Sequence, residues 1–229
     1  MEIICKVILA AIAKQCPNTH TVSVDEKTGI QALERAMGRA PNSQGGQKRM
    51  EFEYKRNGTT TLMAAVNVEN GQIVHHHLGP NHKEVDFADF IKATVAKFPP
   101  MDRVIILADQ LSTHLSESLV RWIAEEDGET VGCKGKYGIL KNQQTRKAYL
   151  ENEHHRVRFL FTPKHCSWLN PIENWFAKLE RHVTRNGNFN SVAELCQQIE
   201  AYIEYANKHL AKPLHWKFAG FKKNRQLVK

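Results

Sequence analysis

The spacing of apolar residues predicts how the chain begins. Residues 1–16 carry the short apolar run VILAAIA and are predicted to form a helix. In HTVSVDEKT, residues 20–28, the two valines fall on one face of an extended chain, and the polar residues between them fall on the other. This segment is therefore predicted to be a short strand, on which Asp25 and Glu26 point in opposite directions.

The next part of the chain has the pattern of paired strands. Residues 29–47 are polar and rich in glycine, which predicts an irregular excursion. Asn-Gly pairs then begin at Asn57 and at Asn70, between segments rich in Thr, Val, Phe and Tyr. Because Asn-Gly favours the tight turn of a hairpin, residues 50–78 are predicted to be an antiparallel meander.

Helices and apolar strands alternate after the meander. Apolar residues at helical spacing predict a helix over residues 85–98, and the uninterrupted run VIILA, residues 104–108, suits a strand covered on both faces. Asp109 stands at the carboxyl end of that strand. Ser112 or Thr113 is predicted to cap the helix that follows.

The remaining segments complete a mixed sheet. Residues 127–153 look like a polar, basic insertion, residues 155–161 form another strand, and a closing helix starts at Ser191, with Glu194 completing a capping box. This order predicts an α/β fold, with an antiparallel part followed by βαβ units and with helices flanking the sheet. If the first and fourth strands are neighbours, their ends meet at one edge, where such sheets bind ligands.

Composition narrows the class of protein. With 229 residues, of which 41% are hydrophobic, the chain can bury the core of one domain. It has 32 Lys and Arg against 24 Asp and Glu, a net charge of +8, and the residues after Glu204 include seven Lys or Arg and no acid. A basic excess of this kind favours a polyanionic partner such as nucleic acid, although a basic tail can also serve only solubility.

Cysteine usage and the first residues indicate the compartment. The five cysteines are odd in number and form no close CxxC pair, so neither a disulfide framework nor a zinc ribbon is predicted. The acidic Glu2 and the short apolar run do not fit a signal peptide, and no apolar run approaches the roughly 20 residues that span a bilayer. We expect a cytoplasmic protein without a membrane partner.

The stretch HCSWLNPIENWF, residues 165–176, allows two interpretations of Glu173. As local structure, Asn170 is predicted to be the helix N-cap, and an acid at the third helical position stabilises a helix N-terminus. Glu194 stands in the same position of the closing helix, where a capping role is sufficient. A functional role for Glu173 requires other carboxylates that the fold brings to it.

Asp25 and Asp109 are the candidates for those partners, because each follows the apolar part of a predicted strand. Three carboxylates close together remain ionised only with cations between them. Oxygen ligands suit Mg²⁺ or Mn²⁺, and two ions about 3.5–4 Å apart can drive the in-line displacement of a phosphodiester. Spacing alone leaves this open, since 24 acids offer many triplets.

Four blocks of sequence carry a resemblance to a known family. They are, in order, SVDEKTGIQAL, YKRNGTTTLMAAV, ILADQLSTH and FTPKHCSWLNPIENWF. Together they resemble the catalytic domain of bacterial insertion-sequence transposases of the mariner superfamily, over about residues 20–220. The resemblance implies a ribonuclease H-like fold and a DDE metal site at Asp25, Asp109 and Glu173, holding two Mg²⁺ or Mn²⁺ ions.

The same resemblance implies an activity and partners. The expected enzyme is a metal-dependent DNA transposase, an endonuclease and strand transferase that cuts double-stranded DNA at transposon ends. It joins the 3′ ends to target DNA, with the superfamily preferring TA dinucleotides. Two ends must be cut together, so a homodimer is expected, and the location implied is the bacterial cytoplasm, in association with the nucleoid.

The chain departs from these relatives in several places. Many relatives have Asn where this chain has Gln110, and the segment 127–153 lengthens the interval before the third acid. Because relatives carry helix-turn-helix domains upstream, residues 1–16 are a candidate remnant of such a region. Residues 17–186 are then predicted to be the catalytic domain, and residues 187–229 a closing helix and basic tail.

Further side chains are candidates for DNA contact. His114 could contact DNA, steady the site or make only a local hydrogen bond. Lys164 and His165 could meet phosphate or lie in a solvated turn. The other candidates are Trp168, Asn170 and the tail residues Lys222, Lys223 and Arg225, of which the last three could instead form a solvated tail.

Other motifs favour structural roles. Trp175 is predicted to pack in the core, whereas Trp168 could pack or stack on an unpaired base. His75, His76 and His77 alternate between the faces of a strand and lack a further ligand, so a metal site there is not favoured. GCKGK, residues 132–136, lacks the spacing of a phosphate-binding loop, so no nucleotide cofactor is expected.

Two other functions remain open. The chain could be a truncated, non-catalytic partner of a full-length transposase that binds DNA or inhibits. It could also be a ribonuclease H-like nuclease that hydrolyses DNA without strand transfer, which detection of joined products would distinguish.

Overall fold

The computed structural model describes residues 1–35, 54–80 and 83–218. The helices and strands follow the predicted order. The strands are β1 (Thr19–Arg35), β2 (Tyr54–Asn67), β3 (Ile73–Gly79), β4 (Arg103–Ala108) and β5 (Val157–Phe161). The helices are α1 (Glu2–Ile12), α2 (Glu84–Val95), α3 (Glu117–Asp127), α4 (Gln143–Leu150), α5 (Ile172–Leu179) and α6 (Val192–His209).

The five strands form one sheet in the order β3-β2-β1-β4-β5. β2 lies antiparallel to β1 and β3, whereas β4 lies parallel to β1 and β5. The first and fourth strands are therefore neighbours, as the candidate site requires. The predicted mixed sheet flanked by helices is confirmed.

Each face of the sheet carries its own core. On one face, Val22 and Val24 pack with residues of α2 and α3, and on the other, Leu62 and Ala64 pack with α5 and α6. A third cluster joins α1 to β4 and β5; its buried members are Ile4, Ile8, Val68, Ile105, Leu107 and Leu160. The run VIILA is covered on both faces, as predicted. Within the described ranges, no helix combines the length and apolar character needed to cross a membrane.

β1 is longer than predicted, because it continues past the polar residues. Residues 29–35 are strand, so the predicted excursion is wrong there, and residues 36–47 lie outside the described residues. The register against β2 shifts between Lys27 and Ile30, where a bulge at Gly29 has a φ of +64°. As a result Val24 and Ile30, both even-numbered, face different cores.

The two Asn-Gly pairs have different structures. The pair that begins at Asn70 forms the turn between β2 and β3, as predicted, with the N–H of Gly71 donating to the carbonyl of Asn67 at 2.8 Å. The pair at Asn57 lies inside β2, at a second shift of register, so the predicted turn there is wrong. The Asn57 amide donates to Glu34 at 2.9 Å, which holds this irregularity in place.

The segment 127–153 is part of the core rather than a polar excursion. It contains α4, and its side chains Val131, Leu140 and Leu150 are buried against the α2 and α3 face of the sheet. A second correction concerns α3, whose N-cap is Ser116, not Ser112 or Thr113. The Ser116 hydroxyl accepts a hydrogen bond from the N–H of Leu119 at 3.2 Å.

Candidate active site

Asp25 and Glu26 are adjacent carboxylates of β1 that face opposite sides of the sheet. The side chain of Glu26 is 3% exposed, and its Oε2 lies 2.8 Å from Nε2 of His114. Asp25 faces the other way, and its Oδ2 accepts a hydrogen bond from the amide of Asn170 at 3.2 Å. Of the two, Asp25 therefore faces the helix that carries Glu173.

Asn170 joins the start of α5 to β1. Its side chain is fully buried, and its amide also donates to the carbonyl of Val24 at 2.9 Å. Its Oδ1 accepts from the hydroxyl of Ser23 at 2.5 Å, and this hydroxyl in turn accepts from the N–H of Ile172 at 2.9 Å. Asn170 is therefore not the N-cap of α5, and its burial contradicts the predicted contact with DNA.

Glu173 lies in the first turn of α5 and is half-buried. Its backbone N–H donates to the carbonyl of Asn170 at 3.2 Å. Within residues 1–35, 54–80 and 83–218, its carboxylate makes no hydrogen bond or ion pair. Its place in the first turn fits the local interpretation of an acid that stabilises a helix N-terminus, and its oxygens remain available for a ligand.

Asp109 follows β4 directly and is held by His114. Nδ1 of His114 lies 2.7 Å from Oδ1 of Asp109, and the N–H of Leu111 donates to the same oxygen at 2.9 Å. The ring of His114 is fully buried and stacks on Phe87, with 4.1 Å between centroids. The interpretation of His114 as a residue that steadies the site fits these contacts, whereas its burial contradicts a contact with DNA.

The charges of these groups depend on one another. Burial alone lowers the pKa of His114, but its hydrogen bonds to Asp109 and Glu26 outweigh burial and raise the pKa to about 10. Burial would raise the pKa of Asp109, yet the hydrogen bond and charge of His114 lower it. Asp109 and Glu26 are thus joined through an imidazolium ring that donates to both.

Asp25 has the opposite shift. Burial raises its pKa to about 7, the N–H of Glu26 opposes this in part, and the negative charge of Asp109 adds to it. Asp25 and Asp109 are therefore close enough to repel each other. This repulsion is what a cation between them would remove.

The donor set fits a hard divalent cation, because Asp25, Asp109 and Glu173 offer carboxylate oxygens, and that of Glu173 lacks a partner in the described part of the chain. In that same part, no three His, Cys, Asp or Glu side chains are already grouped closely enough to hold a metal ion. The fold thus lets the charges of Asp25 and Asp109 interact and anchors the start of the helix that carries Glu173 to the strand of Asp25.

A small pocket adjoins Asp109. It has a volume of about 250 Å³ and is lined by Asp109, Gln110 and the loop after β5, including Lys164 and His165. The amide of Gln110 donates to the carbonyl of Thr162 at 2.7 Å, so this residue ties the ends of β4 and β5 together. Lys164 and His165 are exposed, as a contact with phosphate requires.

The remaining candidates divide by burial. Trp175 is 7% exposed and packs in the core, as predicted, whereas Trp168 is 46% exposed and meets the edge of Phe218 at 4.9 Å. His75 stacks on Phe90 of α2, while His76 interacts with acids of α6, as the predicted alternation requires. Lys222, Lys223 and Arg225 lie outside the described residues.

Sequence reasoning missed Ser23 and the partner of Glu26. A buried serine in an apolar strand was one available signal, since a buried hydroxyl needs a hydrogen-bond partner. The neighbouring acids Asp25 and Glu26 were another, because alternation sends one of them to each core.

The family model of the DDE superfamily endonucleases matches residues 20–196. The fold is similar to that of the Mos1 mariner paired end complex with Mn, with a TM-score of 0.57, 13% identity, and coverage of 89% of this chain and 53% of that chain. The Mos1 strand transfer complex has a TM-score of 0.54, 14% identity, and coverage of 89% and 52%. The catalytic domain of Mos1 mariner transposase has a TM-score of 0.50, 12% identity, and coverage of 89% and 78%.

A search of curated proteins gave no match. This chain spans about half the length of the chains in the paired end complex and the strand transfer complex. At such low identity the structural matches establish the fold, which is the predicted ribonuclease H-like one. The family model covers well over half of the chain, and the protein therefore belongs to the DDE superfamily endonucleases.

Proposed function

We propose that this chain is the catalytic domain of a DNA transposase, which cuts phosphodiester bonds at transposon ends and transfers the 3′ ends to target DNA. Membership of the endonuclease family supports cleavage. The observation that carries the proposal is the set of Asn170 hydrogen bonds, which joins the helix of Glu173 to Asp25 beside Asp109. A helix cap alone would not require that connection.

Asp25, Asp109 and Glu173 would hold Mg²⁺ or Mn²⁺, in two ions. Carboxylate oxygens are the ligands that both metals prefer, and one related structure is a complex with Mn. When bound, such a pair of ions activates a water or a 3′-hydroxyl and stabilises the leaving oxygen of the phosphodiester.

The other residues of the site orient these acids. His114 donates to Asp109 and Glu26, so that the carboxylate of Asp109 keeps one orientation at the end of β4. Asn170 does the same for Asp25 while its backbone carbonyl accepts from Glu173. Ligands fixed in advance lose little conformational entropy when a cation or substrate arrives.

Double-stranded DNA is the proposed partner, in the form of transposon ends and target. Lys164 and His165 border the pocket at Asp109 and are proposed to contact phosphate, with Trp168 exposed nearby. We propose a homodimer for the active complex, because two ends must be cut and joined together.

Nicking of supercoiled plasmid by the purified protein tests the function. We expect nicked circles with Mg²⁺ or Mn²⁺, and none with Asp109→Ala or with a chelator, provided that the variant has the circular dichroism spectrum of the wild type. Joined products with a DNA end would separate strand transfer from simple hydrolysis. A wild type that binds DNA but never nicks it with either metal would favour the non-catalytic partner.

A further inference from the structure

A second concave surface lies between α5 and α6, apart from the carboxylate site. This basic groove has a volume of about 440 Å³, and its lining includes Lys178, Arg181, Lys212 and His215. No Asp or Glu is among the described residues that line it. Lys178 is five positions after Glu173, about 140° around the helix, so the groove opens on a different flank of α5.

The cations of the basic groove are not paired. Several other exposed lysines form ion pairs, including Lys55 with Glu34, Lys92 with Asp89 and Lys147 with Glu151. Across the described ranges, Lys178, Arg181 and Lys212 make no ion pair. Three unpaired cations around one concavity produce a positive potential that only an anionic ligand would offset.

The shape of the groove is fixed by packing. Gly71 has a φ of +75°, and a side chain at this position would collide with the backbone of Lys212. The chain after α6 can therefore lie against the turn between β2 and β3, which places Lys212 opposite α5. Trp175 and Tyr202, with 6.0 Å between their rings, form an apolar floor that strengthens the attraction of the cations for an anion.

We propose that the basic groove binds the phosphate backbone of a DNA strand whose neighbouring segment lies at the carboxylate site. The proposal rests on the proposed function, since it takes DNA as the substrate. A strand fits better than a small anion because the cations are spread out. Lys178 lies in α5, Arg181 lies in the π-helical turn Glu180–Thr184 that follows it, and Lys212 stands on the facing wall.

The salt dependence of DNA binding tests the groove directly. The probe is a fluorescein-labelled 30-base-pair duplex of arbitrary sequence, titrated with protein in EDTA at several NaCl concentrations. Each phosphate contact adds about 0.9 to the slope of log affinity against log salt. We expect the triple variant Lys178→Gln, Arg181→Gln, Lys212→Gln to lose about 2–3 from that slope and at least tenfold in affinity near 100 mM salt.

A matched control separates the groove from net charge. The triple variant Lys55→Gln, Lys92→Gln, Lys147→Gln removes the same three charges from surface ion pairs, which contribute little stability. It should retain a slope within about 0.5 of the wild type. Equal losses in the two triple variants would overturn the proposal, because they would reflect net charge alone.

Two further outcomes are decisive. If millimolar inorganic phosphate, compared with chloride of equal ionic strength, raises the melting temperature of the wild type but not of the groove variant, the groove holds a small anion and the proposal fails. Because binding is measured in EDTA, it does not depend on cleavage. If the wild type never nicks DNA but the groove variant still shows the reduced salt slope, the proposed transposase activity is refuted and the proposed DNA binding by the groove is retained.

Discussion

The helices α5 and α6 begin with similar sequences but are anchored in different ways. At α6, Ser191 accepts from the N–H of Glu194 at 3.1 Å, and the carboxylate of Glu194 accepts from the N–H of Asn190 at 2.8 Å. At α5, the hydroxyl that accepts from the first helical N–H belongs to Ser23, 149 residues earlier in the chain. The start of α6 is capped by residues next to it in the sequence, whereas the start of α5 is bound by a residue of β1.

This difference separates the structural acid Glu194 from Glu173, for which we propose a function. The carboxylate of Glu194 is occupied by the backbone beside it, whereas that of Glu173 has no partner among the residues that the structure describes. The contacts that replace the missing local cap also connect α5 to Asp25. A helix start that is stabilised from a distance can leave its acid free for a ligand.

The largest expected effect is on cleavage by the two acids. Glu173→Gln should reduce the rate of plasmid nicking by about 10³-fold, or about 4 kcal/mol of transition-state stabilisation, because it removes a proposed metal ligand. Glu194→Gln should leave the rate within about twofold. The initial rates of nicking by the two variants and the wild type are compared at saturating Mg²⁺. Equal rates in the two variants would return Glu173 to a structural role.

The second effect is on the pH dependence of stability. The pKa of Asp25 is about 7 in the folded chain, against a usual value of 3.8 that applies to the unfolded chain. This residue therefore favours the folded state most at low pH. That contribution is lost as the pH rises from about 4 through 7, and metal-free Asp25→Asn should become more stable than the wild type by about 2–4 kcal/mol at pH 8.

Urea denaturation in EDTA at pH 4.5, 6 and 8 measures this difference. Glu194→Gln serves as the control, since it leaves the carboxylates around Asp25 unchanged. Adding Mg²⁺ should stabilise the wild type more than Asp25→Asn. If the difference in unfolding free energy between the wild type and Asp25→Asn does not change with pH, Asp25 is not the carboxylate whose pKa is raised by burial.

The smallest effect concerns the residues that anchor the two helix starts, Asn170 for α5 and Ser191 for α6. Asn170→Ala leaves buried groups of β1 without partners and should cost about 2–3 kcal/mol of unfolding free energy, whereas Ser191→Ala should cost about 1 kcal/mol. Asn170→Ala should also slow nicking at temperatures where it remains folded, and Ser191→Ala should not. Chemical denaturation and nicking rates at 15 °C provide both readouts. If only stability changes in Asn170→Ala, its contacts serve the fold alone.

The local part of this comparison could be predicted from the sequence. Ser191 as a cap, the turn at Asn70 and the burial of Trp175 follow from short-range patterns, and the structure has all three. The mixed sheet flanked by helices was also predicted, whereas the adjacency of β1 and β4 entered only as a condition for the site, which the sheet meets.

The long-range part could not be predicted in the same way. Asn170 has the residue type and position of an N-cap, but its partner Ser23 is 147 residues away, and no local pattern reports such a contact. The Asn-Gly pair at Asn57 has the signature of a turn, yet β2 pairs with β1 both before and after it, which keeps it within a strand. In 127–153 the apolar residues are too irregularly spaced to reveal their burial.

The bulge at Gly29 makes β1 a strand with two phases. Up to Glu26, its even-numbered residues belong to the α2 and α3 side, and from Ile30 onwards they belong to the α5 and α6 side. One inserted residue thus lets a single strand supply Val22 and Val24 to one layer and Ile30 and Ala32 to the other, the layer that Asp25 also faces. Uninterrupted alternation over the same residues would place Ile30 on the α2 and α3 side and turn the distal half of the strand inside out, whereas deleting Gly29 would leave Ile30 opposite Thr60 on its present face.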